Sequence, residues 1–135
     1  MDERRPGGIG VDIELSVTPD KYLPHRYAGA SGDFNPIHID PQFAQEVGLP
    51  SNILHGLYSM AQVARACTIA AGGDPRSLRR LSVQFRGMGF PEHEMKVTGS
   101  ERERRDGLTL VDVVAEQDGN QIIRNAEAEL EVQAP

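Results

Sequence analysis

The sequence predicts an α+β fold: a curved antiparallel sheet wrapped around one long central helix. Three observations carry this reading. Four segments alternate apolar and polar residues with period two, as strands with one buried face do. Residues 57–71 are instead apolar at helical spacing and almost all round, as in a helix enclosed by other elements. Turn signals in the C-terminal half leave only short connections, which implies an antiparallel meander.

Taken in order, the first strand runs through Ile13, Leu15 and Val17, with Asp12, Glu14 and Ser16 between them. Residues 27–38 predict an irregular loop of defined shape: Gly32 frees the backbone, Pro36 fixes its own, and Asn35 before it is biased away from helix. A short helix follows over residues 40–47, with Asp40 as N-cap, Pro41 in the first turn and Gly48 at the end. The long helix places Leu57, Met60, Ala61, Ala64, Thr68 and Ala71 on one stripe, and Gly72-Gly73 closes it. Val63, Ala66 and Ile69 widen its apolar surface, and the many alanines suit close approach to a sheet.

Leu81, Val83 and Phe85 form the next strand, and Met95 with Val97 opens another that ends in the charged run 101–106, read as a solvated strand end. Leu108 and Leu110 are followed by Val111 and Val113, a change of phase that a β-bulge in that strand would explain. The last strand is the most regular: Ala126, Ala128, Leu130 and Val132 alternate with Glu127, Glu129 and Glu131. Asp106-Gly107 and Gly119-Asn120 are the turn signals.

The chain of 135 residues has the size of one domain, residues 1–135, with no repeat or linker. Its net charge of -6 is spread along the chain, which argues against nucleic acid as a partner. Cys67, the only cysteine, lies in the apolar helix and reads as a buried, inert thiol, fitting a reducing cytoplasm. The first residues lack an apolar signal core, and no stretch approaches the about 20 apolar residues of a membrane span, so a cytoplasmic location without membrane association is expected.

The chemistry concentrates in Tyr27-Ala-Gly-Ala-Ser-Gly-Asp-Phe-Asn-Pro-Ile-His38. Asp33 and His38 flank the Asn35-Pro36 turn, and an acid and a base so placed can bracket one water or substrate proton. On the residues alone, Asp33 reads equally well as a turn-capping carboxylate, and His38 as a satisfied core histidine. Asp33, His38, Asp40 and His55 are metal-ligand types, but His38 and Asp40 stand two apart with no further ligand motif, so neither a metal nor a cofactor is assigned. Arg76, Arg79 and Arg80 read as solvated charges before phosphate contacts, and His25 and His93 have no informative context.

Residues 31–38, preceded by Tyr27 and followed by Asp40-Pro41, resemble the MaoC-like hydratases and dehydratases of the hot-dog fold, including the (R)-specific enoyl-CoA hydratases. His55-Gly56 at the start of the long helix matches a second element of that family. The Tyr27–His38 phrase, Val47-Gly48-Leu49 and Val83-Gln84-Phe85-Arg86 look most like the catalytic subunit of mycobacterial (3R)-hydroxyacyl-carrier-protein dehydratases. The resemblance implies Asp33 and His38 as the catalytic pair, with His38 read as base and Asp33 as acid. It also implies that Asn35 holds the loop and that Gly56 offers its amide to the thioester carbonyl. The implied activity is reversible syn hydration of trans-2-enoyl thioesters of CoA or acyl carrier protein. Two features depart from the family. Ala64 stands where some relatives have a serine that helps hold the catalytic carboxylate, leaving Ser59 or water as substitutes, and Pro24 falls where relatives have an unbroken helix.

A hot-dog thioesterase and a non-catalytic acyl-binding subunit of a heterodimer are the alternatives. The Asp-x-Asn-Pro-x-His phrase speaks against the first, and the presence of both Asp33 and His38 against the second. The exposed edges of a lone sheet predict a dimer, either a homodimer or a heterodimer with a second hot-dog chain.

Overall fold

The computed structural model describes residues 10–132, so the expectation about a leader at the first residues lies outside them. The strands are β1 (Asp12–Val17), β2 (Leu78–Phe85), β3 (Met95–Arg105), β4 (Leu108–Gln117) and β5 (Asn120–Leu130). The helices are α1 (Leu23–Ser31), α2 (Pro36–Ile39), α3 (Pro41–Glu46) and α4 (Gly56–Ala70). The strands make one sheet in the order β1-β3-β4-β5-β2, and every neighbouring pair is antiparallel. This is the hot-dog architecture the sequence predicts, with α4 packed against the sheet.

The meander β3-β4-β5 is built from its turns. Asp106-Gly107 and Asp118-Gly119 all take positive φ, from 52° to 78°, the backbone of two-residue hairpin loops whose twist matches the strands they join. The second turn therefore sits one residue before the Gly119-Asn120 step expected from sequence. Alternation holds over residues 126–130 of β5, with Ala126, Ala128 and Leu130 at 1% exposure or less, but not at Val132, which lies beyond the strand and is exposed. The bulge expected in β4 lies instead in its neighbours. Arg102 is the extra residue of β3 opposite Leu110 and Val111, and β5 carries another near Asn125, which takes φ 50°. The phase change in β4 thus records where its partners slip past it.

Helix α4 turns a different face to the sheet than its main stripe suggests. Ser59, Val63, Ala66 and Cys67 are buried, while Leu57 and Ile69 are 63% and 54% exposed. A helix apolar all round gives periodicity no side to choose, so the close fit of small and branched side chains under the curved sheet decides instead. Burial among these residues pushes the Cys67 thiol up to about 12, as an inert thiol requires. Among the described residues, no helix is long and apolar enough to cross a membrane.

Candidate active site

Two short helices, α2 and α3, carry the chain from α1 to α4 and aim the loop inward. Pro24 lies in the first turn of α1 and does not break it, because its missing N–H falls where a helix has no acceptor to offer. Gly32 ends α1 in the left-handed conformation at φ 81°, its N–H reaching the carbonyl of Ala28. Asn35 then takes an extended backbone before Pro36, and its side chain accepts the Ile37 amide at 3.2 Å. The irregular loop expected over residues 27–38 is therefore confined to residues 32–35: residues 27–31 belong to α1, and residues 36–39 form the four-residue helix α2, which carries His38. Asp40 caps α3 by accepting from Gln42 and Phe43, so its carboxylate is committed away from the site.

His38 is buried and doubly fixed. Its Nδ1 lies 2.9 Å from the Ile53 carbonyl, and the buried Asn52 side chain donates to the His38 carbonyl at 2.9 Å. A carbonyl can only accept, so Nδ1 carries the hydrogen and Nε2 of the neutral ring is a bare acceptor. That Nε2 stands 3.7 Å from Asp33 Oδ2. This gap is too long for a direct hydrogen bond, and it lets one water touch both atoms.

Asp33 combines the two readings its residue type allows. Oδ1 accepts the Asn35 amide at 3.2 Å, a local turn, while Oδ2 points to His38. Its own amide donates to Ser31 Oγ at 3.1 Å. Among the described residues, no hydrogen bond links Ser59 or Ala64 to this carboxylate, which leaves its orientation to the turn itself. The Asp33 side chain is 53% exposed, so the single chain leaves this end of the pair open.

Gly56 is the first residue of α4, where a backbone N–H has no intrahelical acceptor and the helix dipole presents its positive end. A Cβ here would come within 3.3 Å of the Phe85 ring, so the glycine lets β2 close on the helix start. Phe34, Leu57 and Phe85 are 61%, 63% and 51% exposed and leave an apolar rim beside Asp33 and Gly56.

The structure brings His55 into the centre of the site. Its Nε2 lies 3.0 Å from the Asp33 carbonyl, and its ring stacks on that of His38 at 3.9 Å and 22°. Asp33, His38 and His55 offer ligand-type atoms within 4.8 Å of one another. Stacked imidazoles direct their in-plane lone pairs along nearly parallel planes, however, which works against one ion binding both. The three arginines weighed as phosphate contacts face acidic neighbours: Arg76 with Asp74 at 2.8 Å, Arg79 with Glu131 at 3.0 Å and Arg80 with Glu129 at 3.7 Å.

Residues 8–121 match the family described as the MaoC like domain. A curated relative, the fatty acid synthase beta subunit hexB of Dothistroma septosporum, is 36% identical over 133 residues, covering 96% of this chain and 7% of that protein. The chain therefore spans only a small part of such relatives. Among solved structures, the ChsH1-ChsH2 complex from Mycobacterium tuberculosis superposes with a TM-score of 0.80 at 22% identity, covering 94% of this chain and 99% of that one. The unliganded R-hydratase PhaJ1 from Pseudomonas aeruginosa gives a TM-score of 0.80 at 21% identity, with 94% and 83% covered. At these identities the two structures speak for the fold.

Proposed function

The chain belongs to the MaoC-like dehydratase family, and from that premise we propose that it adds water reversibly to trans-2-enoyl thioesters, giving (3R)-3-hydroxyacyl thioesters, or removes it. The observation that carries the reading is the 3.7 Å gap between Asp33 Oδ2 and a His38 Nε2 left bare by the bond of Nδ1 to Ile53.

A water in that gap is held by both groups. Nε2 of His38 takes its proton as the oxygen bonds to C3, and the π electrons of the C2–C3 bond move toward the thioester oxygen. A proton reaches C2 from the same side through the Asp33 carboxyl, which regains one from the imidazolium, so addition is syn. The Gly56 amide and the positive end of α4 meet the charge that builds on the thioester oxygen, a type of donor whose removal costs about 3 kcal/mol of barrier. Asn35 holds the loop through its cap on Ile37.

The substrate is a thioester of CoA or acyl carrier protein, and the acting unit is one hot-dog domain over residues 1–135 in a reducing cytoplasm. A second hot-dog chain, identical or different, joins at a free sheet edge and, with the acyl chain, covers the apolar rim. β1 and β2 are the edges open to it. Light scattering coupled to size-exclusion chromatography of the purified chain, alone and with a candidate hot-dog partner, should report a dimer; a monomer at micromolar concentration in both cases removes this part.

Mixed with crotonyl-CoA or a longer trans-2-enoyl-CoA, the protein should lower the enone absorbance to its equilibrium level, and chiral analysis should return the (3R) alcohol. Absence of hydration at every chain length, or release of free thiol to a thiol reagent instead, rejects the proposal.

A further inference from the structure

His55 touches each part of the site without a step of its own in the reaction. Its Nε2 faces the Asp33 carbonyl at 3.0 Å, and because a carbonyl only accepts, Nε2 carries the hydrogen. Nδ1 is then bare, and it is a buried side-chain atom with no partner among the described residues. Buried polar atoms are ordinarily satisfied, and an apolar ring would fill this space without that penalty. The imidazole is therefore explained by what its Nε2 and its flat face do.

Those two actions fall on opposite sides of the same gap. A hydrogen bond at Nδ1 alone leaves the His38 ring free to swing about that bond. The His55 ring, 3.9 Å away and tilted by 22°, removes the swing and directs Nε2 toward Asp33. The bond from His55 Nε2 holds the Asp33 backbone, whose carboxylate, among the described residues, accepts a hydrogen bond from the neighbouring Asn35 amide alone. Tyr27 packs against His55 with ring centroids 4.7 Å apart, and the His55 carbonyl accepts the Tyr58 amide at 3.0 Å, so the ring sits on the rigid start of α4.

We propose that His55 is a positioning residue, setting the separation of Asp33 and His38 through its Nε2–H bond to the Asp33 carbonyl and its stack on His38. The inference rests on the reading of Asp33 and His38 as the reacting pair.

The test compares His55→Phe, which keeps a flat ring without the donor, with His55→Gln, whose terminal N–H lies at the reach of Nε2. His55→Phe should lower kcat on crotonyl-CoA about ten- to a hundredfold, as a misplaced reacting group does, while KM stays within about twofold. His55→Gln should recover a large part of that loss. The amide nitrogen resonance of Phe34, on the peptide whose carbonyl His55 holds, should move in His55→Phe and return toward its native position in His55→Gln. If His55→Phe does not fold, His55→Asn replaces it, being polar but too short to reach the carbonyl. Native kcat in the donor-less variant, or an unmoved Phe34 resonance, overturns the proposal. Should the native protein hydrate no enoyl thioester, the hydratase reading falls, and the Phe34 resonance still decides whether His55 pins the loop.

Discussion

Strands β3 to β5 and residues 31–58 are held together in opposite ways. The strands share long antiparallel ladders, and Met95, Val97, Val111, Ala115, Ile123 and Leu130 are fully buried in one core cluster with residues of α4, so each contact has many substitutes. The loop region relies on single bonds from particular side chains: Asn35 to the Ile37 amide, Asn52 to the His38 carbonyl, and His38 to the Ile53 carbonyl. Redundant packing makes a scaffold, whereas unshared bonds set the direction of a few atoms. Substitutions in the first region should therefore act on stability, and in the second on turnover.

The largest effect expected of this contrast is at the pair itself. Asp33→Asn and His38→Ala should each reduce kcat by about 10²–10⁴-fold, the usual contribution of a positioned acid or base. Asp33→Asn should melt close to the native temperature, since its side chain is half exposed and an amide oxygen can still accept from Asn35. A variant that keeps full activity removes the residue from the proposed chemistry. One that unfolds along with its loss of activity erases the distinction between the two regions.

Leu130→Ala should show the reverse. Leu130 is fully buried at the end of β5, and truncation there removes apolar contact and leaves a cavity, at a cost of about 2–5 kcal/mol. Urea unfolding should report that loss, while kcat per folded molecule stays native. A large fall in kcat with little change in stability would mean that the sheet takes part in setting the site.

The same contrast explains what the sequence disclosed. Alternation over residues 126–130 of β5 and the Asp106-Gly107 turn survive because period two and a positive φ are local properties, written in neighbouring residues. The loop motif around Asp33 and His38 was legible as residue types, and so were Gly56 and the cap at Asp40. The bulges at Arg102 and Asn125 were not, because register belongs to a pair of strands. The buried face of α4 escaped because an apolar helix carries no contrast to read. His55 escaped for a third reason: its partners stand 17 and 22 residues back along the chain, and only the fold brings the rings of His38 and His55 face to face.

Gly99→Ala probes the scaffold with a smaller change. A Cβ on Gly99 would lie 2.3 Å from the Asp112 carbonyl oxygen, and backbone in the middle of a ladder cannot turn aside. The added methyl should cost about 1–3 kcal/mol by forcing β3 and β4 apart, visible in urea unfolding and with kcat unchanged. Native stability in this variant would show that the sheet yields more readily than its ladders imply.

The smallest effect sharpens the comparison most, because Asp40 belongs to both kinds of bonding. Its carboxylate caps α3 through Gln42 at 2.9 Å and Phe43 at 3.3 Å, while its amide closes α2 on the Pro36 carbonyl at 2.9 Å, two residues after His38. Asp40→Ala removes the cap and keeps the amide, so stability should fall by about 1 kcal/mol, with Asp40→Asn restoring most of it. If the loop lacks substitutes for its bonds, fraying at the start of α3 also reaches His38, and kcat falls by more than the fraction of unfolded protein explains. A kcat that tracks the folded fraction would show instead that Asn52, Ile53 and the His55 ring hold His38 without help from the α3 cap, and that the loop is more redundant than its single bonds suggest.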